Sequence, residues 1–340
     1  MKCIEDAKYK ILLSEEISFL FDKLTGTTLT VGPSKDDDAI YCPYGPMILD
    51  IEVSTICREM CPECCMLNSP VGENMSLETF KTILSKFNLN ILTQVALGIG
   101  DLTANPELFA IFRHCREKGI IPNVTINGFG LTEELAATLT SLCGAVAVSC
   151  YDKDVCYGAV QMLGKAGLKQ ANIHALLAED RFAKCFSILE DIKTDERLSC
   201  LHALVFLHLK PKGRAKNFSD IKSMDKYRDL IARAFELGVK FGFDSCGAHL
   251  FAGAIKGRPN VKELMKQVEP CESSLMSAYV DVTGRYWPCS FSENIDGVLP
   301  LSVLDCESFG EIWNHPDTLV WREKLLAGNR NCPLYAIGDG

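Results

Sequence analysis

Between Met47 and Asp244 the chain alternates short apolar runs, rich in β-branched residues, with stretches whose apolar positions recur at helical spacing. No other feature restricts the fold as much, because strands repeatedly separated by a helix pair in parallel and are covered by those helices. The strand segments are 47–53 (MILDIEV), 94–98, 121–126, 145–149, 171–177 and 202–208, with a seventh at 240–244. Among the helical stretches, Leu77, Phe80, Ile83, Leu84 and Phe87 follow the cap Ser76, and Leu135, Leu139 and Leu142 follow Thr132-Glu133-Glu134. Another carries Tyr227, Leu230, Ile231, Ala234 and Phe235 and stops at Gly238. Six such βα units fit a barrel, a partial barrel or a doubly wound open sheet, and periodicity does not choose among them. In all three, chemistry sits at the C-terminal ends of the strands.

The flanks read differently. Residues 1–45 form a polar, turn-rich stretch (TGTTLTVGPSKDDD) with weak strand signals, ending at Pro43-Tyr44-Gly45-Pro46, and are expected to form an N-terminal cap. Residues 46–245 are the core, and residues 246–340 a small second unit. In that unit SAYVDVTGRYWPC alternates as a hairpin turning at Thr283-Gly284, and a helix follows around Phe309 to Leu326, interrupted near Pro316.

No run of about 18 apolar residues occurs, and the N-terminus mixes charges where an export signal carries its apolar region, so a cytoplasmic protein without a membrane segment is expected. A net charge of −9 argues against general binding to nucleic-acid backbone. Seventeen cysteines, an odd number without an export signal, favour metal ligation over disulfides for any clustered subset. Cys115, Cys143, Cys150, Cys156, Cys185 and Cys200 lie scattered in apolar segments and are expected to be packing residues.

One subset is clustered. Directly after strand 47–53, the sequence STICREMCPECC places Cys57, Cys61 and Cys64 within eight residues on a loop. Three thiolates so spaced can converge on one centre, and their softness suits Zn(II) or an iron-sulfur cluster. Adjacent Cys65 makes an awkward fourth zinc ligand, since neighbouring side chains diverge. The Cys-x3-Cys-x2-Cys spacing after the first strand of a βα array resembles the defining motif of the radical S-adenosylmethionine (radical SAM) superfamily. The resemblance implies a partial (β/α)6 TIM-type barrel and a [4Fe-4S] cluster on Cys57, Cys61 and Cys64, with S-adenosylmethionine (SAM) chelating the fourth iron. One electron, from a donor such as flavodoxin or ferredoxin, then cleaves SAM to a 5′-deoxyadenosyl radical that abstracts a substrate hydrogen. Glu63 departs from the family, which usually places an aromatic residue there, next to the adenine.

A second match follows strand two. Gly98-Ile99-Gly100-Asp101-Leu102, followed by Asn105-Pro106, resembles the family's Gly-Gly-Glu-Pro segment and the Asn-Pro that opens the next helix, with Asp in place of Glu and Leu102 in place of Pro. By that resemblance Gly98, Gly100 and Asp101 receive the SAM amino group. Asn127, Ser149, Asn172 and His174, at or near strand ends, match positions that touch the SAM ribose and carboxylate. Independently, the run Lys210 to Lys216 gathers four positive charges beyond strand six, where Arg214 or Lys212 can pair with a carboxylate of SAM or substrate.

Near the C-terminus, Cys271, Gly284 and Cys289 resemble the opening half of the SPASM motif of radical SAM enzymes with auxiliary clusters. A hairpin turning at the glycine brings the two cysteines toward one centre. Cys332-Pro333 follows, with Tyr335 where one twitch-type enzyme has its last cysteine. The shorter twitch version implies one second [4Fe-4S] cluster on Cys271, Cys289 and Cys332, its fourth ligand being Cys246, Cys306 or none. The expected α+β auxiliary-cluster domain accompanies a substrate that is a peptide or a small molecule. A non-catalytic iron-sulfur redox sensor and radical modification of a nucleotide are the alternatives. No catalytic acid or base is assigned.

Overall fold

The computed structural model describes residues 1–33 and 39–335. The acidic run 36–38, read above as part of the cap, lies outside the described residues.

The N-terminal stretch is a complete antiparallel sheet: β1 (Lys2–Glu5), β2 (Tyr9–Leu13), β3 (Ser18–Asp22) and β4 (Thr28–Val31), paired in chain order. Its turns are local chemistry. Asp6 Oδ1 accepts the N–H groups of Lys8 and Tyr9, and Asp22 Oδ1 those of Leu24 and Thr25. One face carries Leu12, Ile17, Phe19 and Phe21, which pack on Met47, Ile91, Ile121 and Met276. All four of those partners stand at or before the starts of strands in the larger sheet. Buried Lys10 pins the contact, donating to the carbonyls of Leu89 and Leu92 at 2.7 and 2.9 Å. This sheet therefore packs on the segments that lead into the first three parallel strands and into the later hairpin.

The larger sheet has ten strands. Its body consists of β5 (Ile48–Ser54), β6 (Gln94–Ile99), β7 (Ile121–Ile126), β8 (Val146–Ser149), β9 (Ala171–Leu177), β10 (Ala203–His208) and β11 (Phe241–Phe243). These are parallel, and each pairs with its neighbours in sequence. Between them run α1 (Leu77–Lys86), α2 (Leu108–Glu117), α3 (Glu133–Leu142), α4 (Lys153–Lys165), α5 (Phe182–Thr194) and α6 (Met224–Glu236). The caps are those expected: Ser76 accepts from Thr79 N, Thr132 from Leu135 N, and Gly238 supplies the positive φ after α6. Strand burial alternates as a sheet covered by helices requires. In β9, Ala171, Ile173, Ala175 and Leu177 are buried, while Asn172 and His174 face the other side.

After α7 (Ala248–Ala254) and α8 (Val261–Met265) comes the expected hairpin, β12 (Ser277–Val280) and β13 (Arg285–Trp287), followed by β14 (Leu301–Ser302), α9 (Phe309–Trp313) and α10 (Pro316–Ala327). The hairpin does not stand apart: β12 pairs in parallel with β5, so β14, β13 and β12 extend the main sheet past its first strand. Asp281 organises the turn, accepting from Thr283, Arg285 and the Trp287 indole. Cys115, Cys143, Cys150, Cys156 and Cys185 are buried as packing residues and Cys200 is partly buried.

Candidate functional site

The loop leaving β5 is folded back on itself. Bridges join Ser54 to Asn74 and Ile56 to Ser69, and Cys57 N donates to Ser69 O at 2.8 Å. Met60 and Leu67 adopt positive φ within it. Cys57, Cys61 and Cys64 line a cavity of about 520 Å³ that runs from the C-terminal ends of the parallel strands, where Gly98, Gly100, Asn127, Ser149 and Arg214 join them, past His174 to Asn172 near the start of β9. That size suits a cofactor-bearing pocket. A second cavity adjoins it, sharing Cys65, Ser149, Tyr151 and His174.

Gly100 cannot be replaced without displacing the cysteine loop: a Cβ there would stand 2.6 Å from Cys57 Cβ and 3.1 Å from its Sγ. Its carbonyl accepts from Asn127 Nδ2 at 2.7 Å, so Asn127 buttresses the glycine as well as lining the cavity. Asn105 staples the loop, donating to Val53 O and Met75 O. Asp101 turns away from the cavity: its carboxylate accepts from the N–H and hydroxyl of Thr103 and is not part of the lining.

Arg214 is engaged differently from the pairing expected of it. Its Nε donates to Cys61 O at 2.8 Å and its Nη2 to Asn68 O at 3.1 Å, while its backbone N–H donates to Cys64 O at 2.9 Å. Gly213, at φ +59°, presses on the same loop, since a Cβ would meet Cys65 O at 2.6 Å. Gly213 and Arg214 thus clamp the cysteine loop, and Lys210 and Lys212 do not share in it. Lys210 pairs with Asp244, and Lys212 donates to Ser290 O.

Glu63, where the resemblance expected an aromatic residue, is 7% exposed and ion-paired to Arg181 Nε at 2.6 Å. Arg181 also stacks over Phe218. Burial, and then the neighbouring Cys57 and Cys64, push the Cys61 thiol up to about 11. Burial lowers His174 to about 4, so its ring is neutral at neutral pH.

The other cysteines also assemble. Burial, with Cys289 and Cys332 nearby, raises Cys271 to about 12. Cys289 is raised by burial and by Cys332, and Cys246 by burial, with Cys271 and Cys289 among its charged neighbours. These four thiols are thus neighbours: Cys246 lies near Cys271 and Cys289, and Cys332 near the same two. Cys306 does not join them: its Sγ points to Val303 O, and its charged neighbours are Glu311, Lys86 and Asp305.

Donor chemistry and spacing test what these thiols can hold. Among the described residues no three His, Cys, Asp or Glu groups converge tightly enough for a single ion. Soft sulfur ligands held further apart suit a polynuclear cluster better than zinc. Beside Cys57 the buried Asn68 Oδ1 has no hydrogen-bond partner among the described residues. By donor type, sulfur alone in each set, iron-sulfur ligation is the chemistry that suits them.

Sequence reasoning missed Asp50, Glu52, Tyr151, Arg181 and Tyr279. For the first two the signal was present: acids at alternate positions within the otherwise apolar strand MILDIEV.

No protein-family model matches the chain, and no curated protein does. Solved structures do. Streptococcus suis SuiB bound to its precursor peptide SuiA superposes with a TM-score of 0.68 at 13% identity, covering 92% of this chain and 90% of that one. SuiB bound to S-adenosylmethionine gives 0.65 at 14% identity, over 83% and 68%. Native anSMEcpe with bound AdoMet and the Cp18Cys peptide gives 0.59 at 17% identity, over 81% and 82%. At these identities the likeness is one of fold, and the chain has the α/β fold with a large parallel sheet that these proteins share. No described helix is long and apolar enough to cross a membrane.

Proposed function

We propose that this chain is a radical SAM enzyme in which Cys57, Cys61 and Cys64 hold a [4Fe-4S] cluster and the adjoining cavity receives S-adenosylmethionine. The observation that carries the reading is the placement of three thiols at the strand ends over a cavity of about 520 Å³, with Gly100 packed against Cys57. Bound there, a reduced cluster would supply the electron that cleaves S-adenosylmethionine and yields the 5′-deoxyadenosyl radical. The chain's own residues position and shield. Arg214 and Gly213 clamp the ligand loop, Asn127 and Asn105 fix the glycine segment against it, and Gly98, Gly100 and Ser149 line the space for the cofactor.

In the same reading the parallel strands curl into a partial barrel, a shape favoured by strictly sequential strand order and by one cavity lined from β5 to β10. Residues 246–340 form the auxiliary domain, with a second cluster on Cys271, Cys289, Cys332 and Cys246. Cys246 is preferred to Cys306 because it lies near Cys271 and Cys289. Lys210, paired to Asp244 beside Cys246 and within reach of the charge of Cys65, stands between the two sets. A peptide substrate is favoured over a small molecule by the peptides bound to SuiB and anSMEcpe.

Anaerobic reconstitution with iron and sulfide, followed by dithionite and S-adenosylmethionine, tests the reading. Release of 5′-deoxyadenosine is expected, with iron content approaching about eight per chain. An intact cluster that yields no 5′-deoxyadenosine refutes the enzymatic reading and leaves a redox sensor.

A further inference from the structure

One wall of the cavity carries polar groups that none of these roles uses. Asp50 and Glu52 alternate along β5, and Tyr279 pairs in register with Asp50 across the β5–β12 ladder, so all three side chains reach the cavity lining. Glu52 and Tyr279 are each only 3% exposed. The Tyr279 hydroxyl is buried and has no hydrogen-bond partner among the described residues. For Asp50, burial acts alone and pushes the carboxyl up to about 6. Burial, then Glu293 and Asp281, push Glu52 up to about 8, against the weaker pull of Lys212 and the Val282 N–H.

Groups buried in this way cost free energy unless something pairs with them. The nearby cations are committed elsewhere. Arg214 donates to the Cys61 and Asn68 carbonyls, Lys212 donates to Ser290 O and reaches Glu293 at 3.5 Å, and His174 is neutral. Two carboxyls and a phenol oxygen on adjacent strands present acceptors spaced by about 5–7 Å. A protonated amine offers three donors and a guanidinium five, and either would draw both carboxyls to their ionised form. A substrate carboxylate or phosphate would find no cation on this wall and would oppose that ionisation.

The geometry points to a cation subsite: Asp50, Glu52 and Tyr279 receive the protonated amine or guanidinium of the substrate inside the cavity. This inference rests on the enzymatic reading and names its substrate class. The same chemistry is offered by a basic side chain of a peptide and by a free small amine.

The test uses the cluster-loaded protein with S-adenosylmethionine present and measures binding calorimetrically. The probes are acetyl-Gly-Lys-Gly-amide, its norleucine counterpart and cadaverine. The lysine peptide is expected to bind at least about 10-fold tighter than the norleucine peptide. Glu52→Gln should remove most of that difference. Tyr279→Phe, which removes one oxygen and no charge, should narrow it too and keeps the test decisive if Glu52→Gln does not fold. Tight binding of cadaverine in place of the lysine peptide also upholds the subsite and assigns it to a free amine. Equal binding of the lysine and norleucine peptides together with no binding of cadaverine overturns it. So does a Glu52→Gln variant that weakens S-adenosylmethionine as much as it weakens the cation. Because binding is read directly, failure here is distinct from failure to form 5′-deoxyadenosine, which would sink the enzymatic reading instead.

Discussion

Replacing Arg214 with alanine separates two roles for the same side chain. If it clamps the cysteine loop, the substitution removes two bonds from a charged donor, to Cys61 O at 2.8 Å and Asn68 O at 3.1 Å. The backbone bond from residue 214 to Cys64 O stays. Bonds from charged groups contribute about 1.5–3 kcal/mol each, and the two are not additive because water replaces part of what is lost. Opening of the loop should therefore become easier by about 2–3 kcal/mol, or roughly 30- to 150-fold in its equilibrium. The assay is amide hydrogen exchange across residues 57–69 of the metal-free protein, where Cys57 N and Cys64 N are bonded within the loop. In the loaded protein, iron loss to a chelator should quicken in parallel. Arg214→Lys keeps the charge but not the forked donors, and should fall between. Unchanged exchange together with weaker S-adenosylmethionine binding would refute the clamp and restore the carboxylate pairing expected from sequence.

Two further outcomes follow from the same geometry. Cys246→Ala should lower iron content by up to about four per chain and leave the first cluster's spectrum in place, whereas Cys306→Ala should leave both clusters unchanged; equal losses in the two variants would undo the choice between them. Glu52 is also expected to shape the pH dependence of the metal-free protein. Its folded value of about 8 lies above its ordinary 4.5, so the folded state holds this proton more tightly. The resulting stability is present in full below about pH 4.5 and is lost as pH rises toward about 8, with Asp50 adding in the same direction up to about pH 6. Denaturant midpoints should accordingly fall over that range, and Glu52→Gln should flatten the upper part; a variant that parallels the unaltered protein contradicts it. The groups facing Glu52 are Glu293, Asp281, Lys212 and Tyr279.

The parallel strands were legible because each keeps an apolar, β-branched face against helices and is separated from the next by a helical period; β7 and β9 fall on 121–126 and 171–177 as read. The N-terminal sheet was fainter, since its strands run to only four or five residues, no described helix separates them, and Ile4, Leu13, Leu29 and Val31 remain exposed. The hairpin was readable from Asp281-Val282-Thr283-Gly284, but its parallel pairing with β5 was not, because the paired residues lie more than two hundred positions apart. The same distance problem hid the site's polar partners. Glu63 looks like an intruder until Arg181 is seen beside it, and the charges of Lys210, Lys212 and Arg214 looked available until each met its acceptor. Cys246 and Cys306 are equivalent in a list of cysteines, and tertiary packing alone tells them apart.

On the proposed reading, the N-terminal sheet seated on the starts of β5, β6 and β7 leaves the C-terminal ends of the strands as the way in and out for cofactor and substrate. A blind chamber imposes an order on arrivals. A ligand contacting the innermost walls has to precede one that fills the mouth, and spent cofactor cannot leave past a product still held above it. Turnover would then be governed by departure as much as by bond breaking, and a variant that loosens the sheet of Leu12, Phe19 and Phe21 would act as a leak. Water admitted from below would reach the reactive species of the proposed chemistry, so short-circuited cleavage of cofactor without substrate change would be the mark of a breached base.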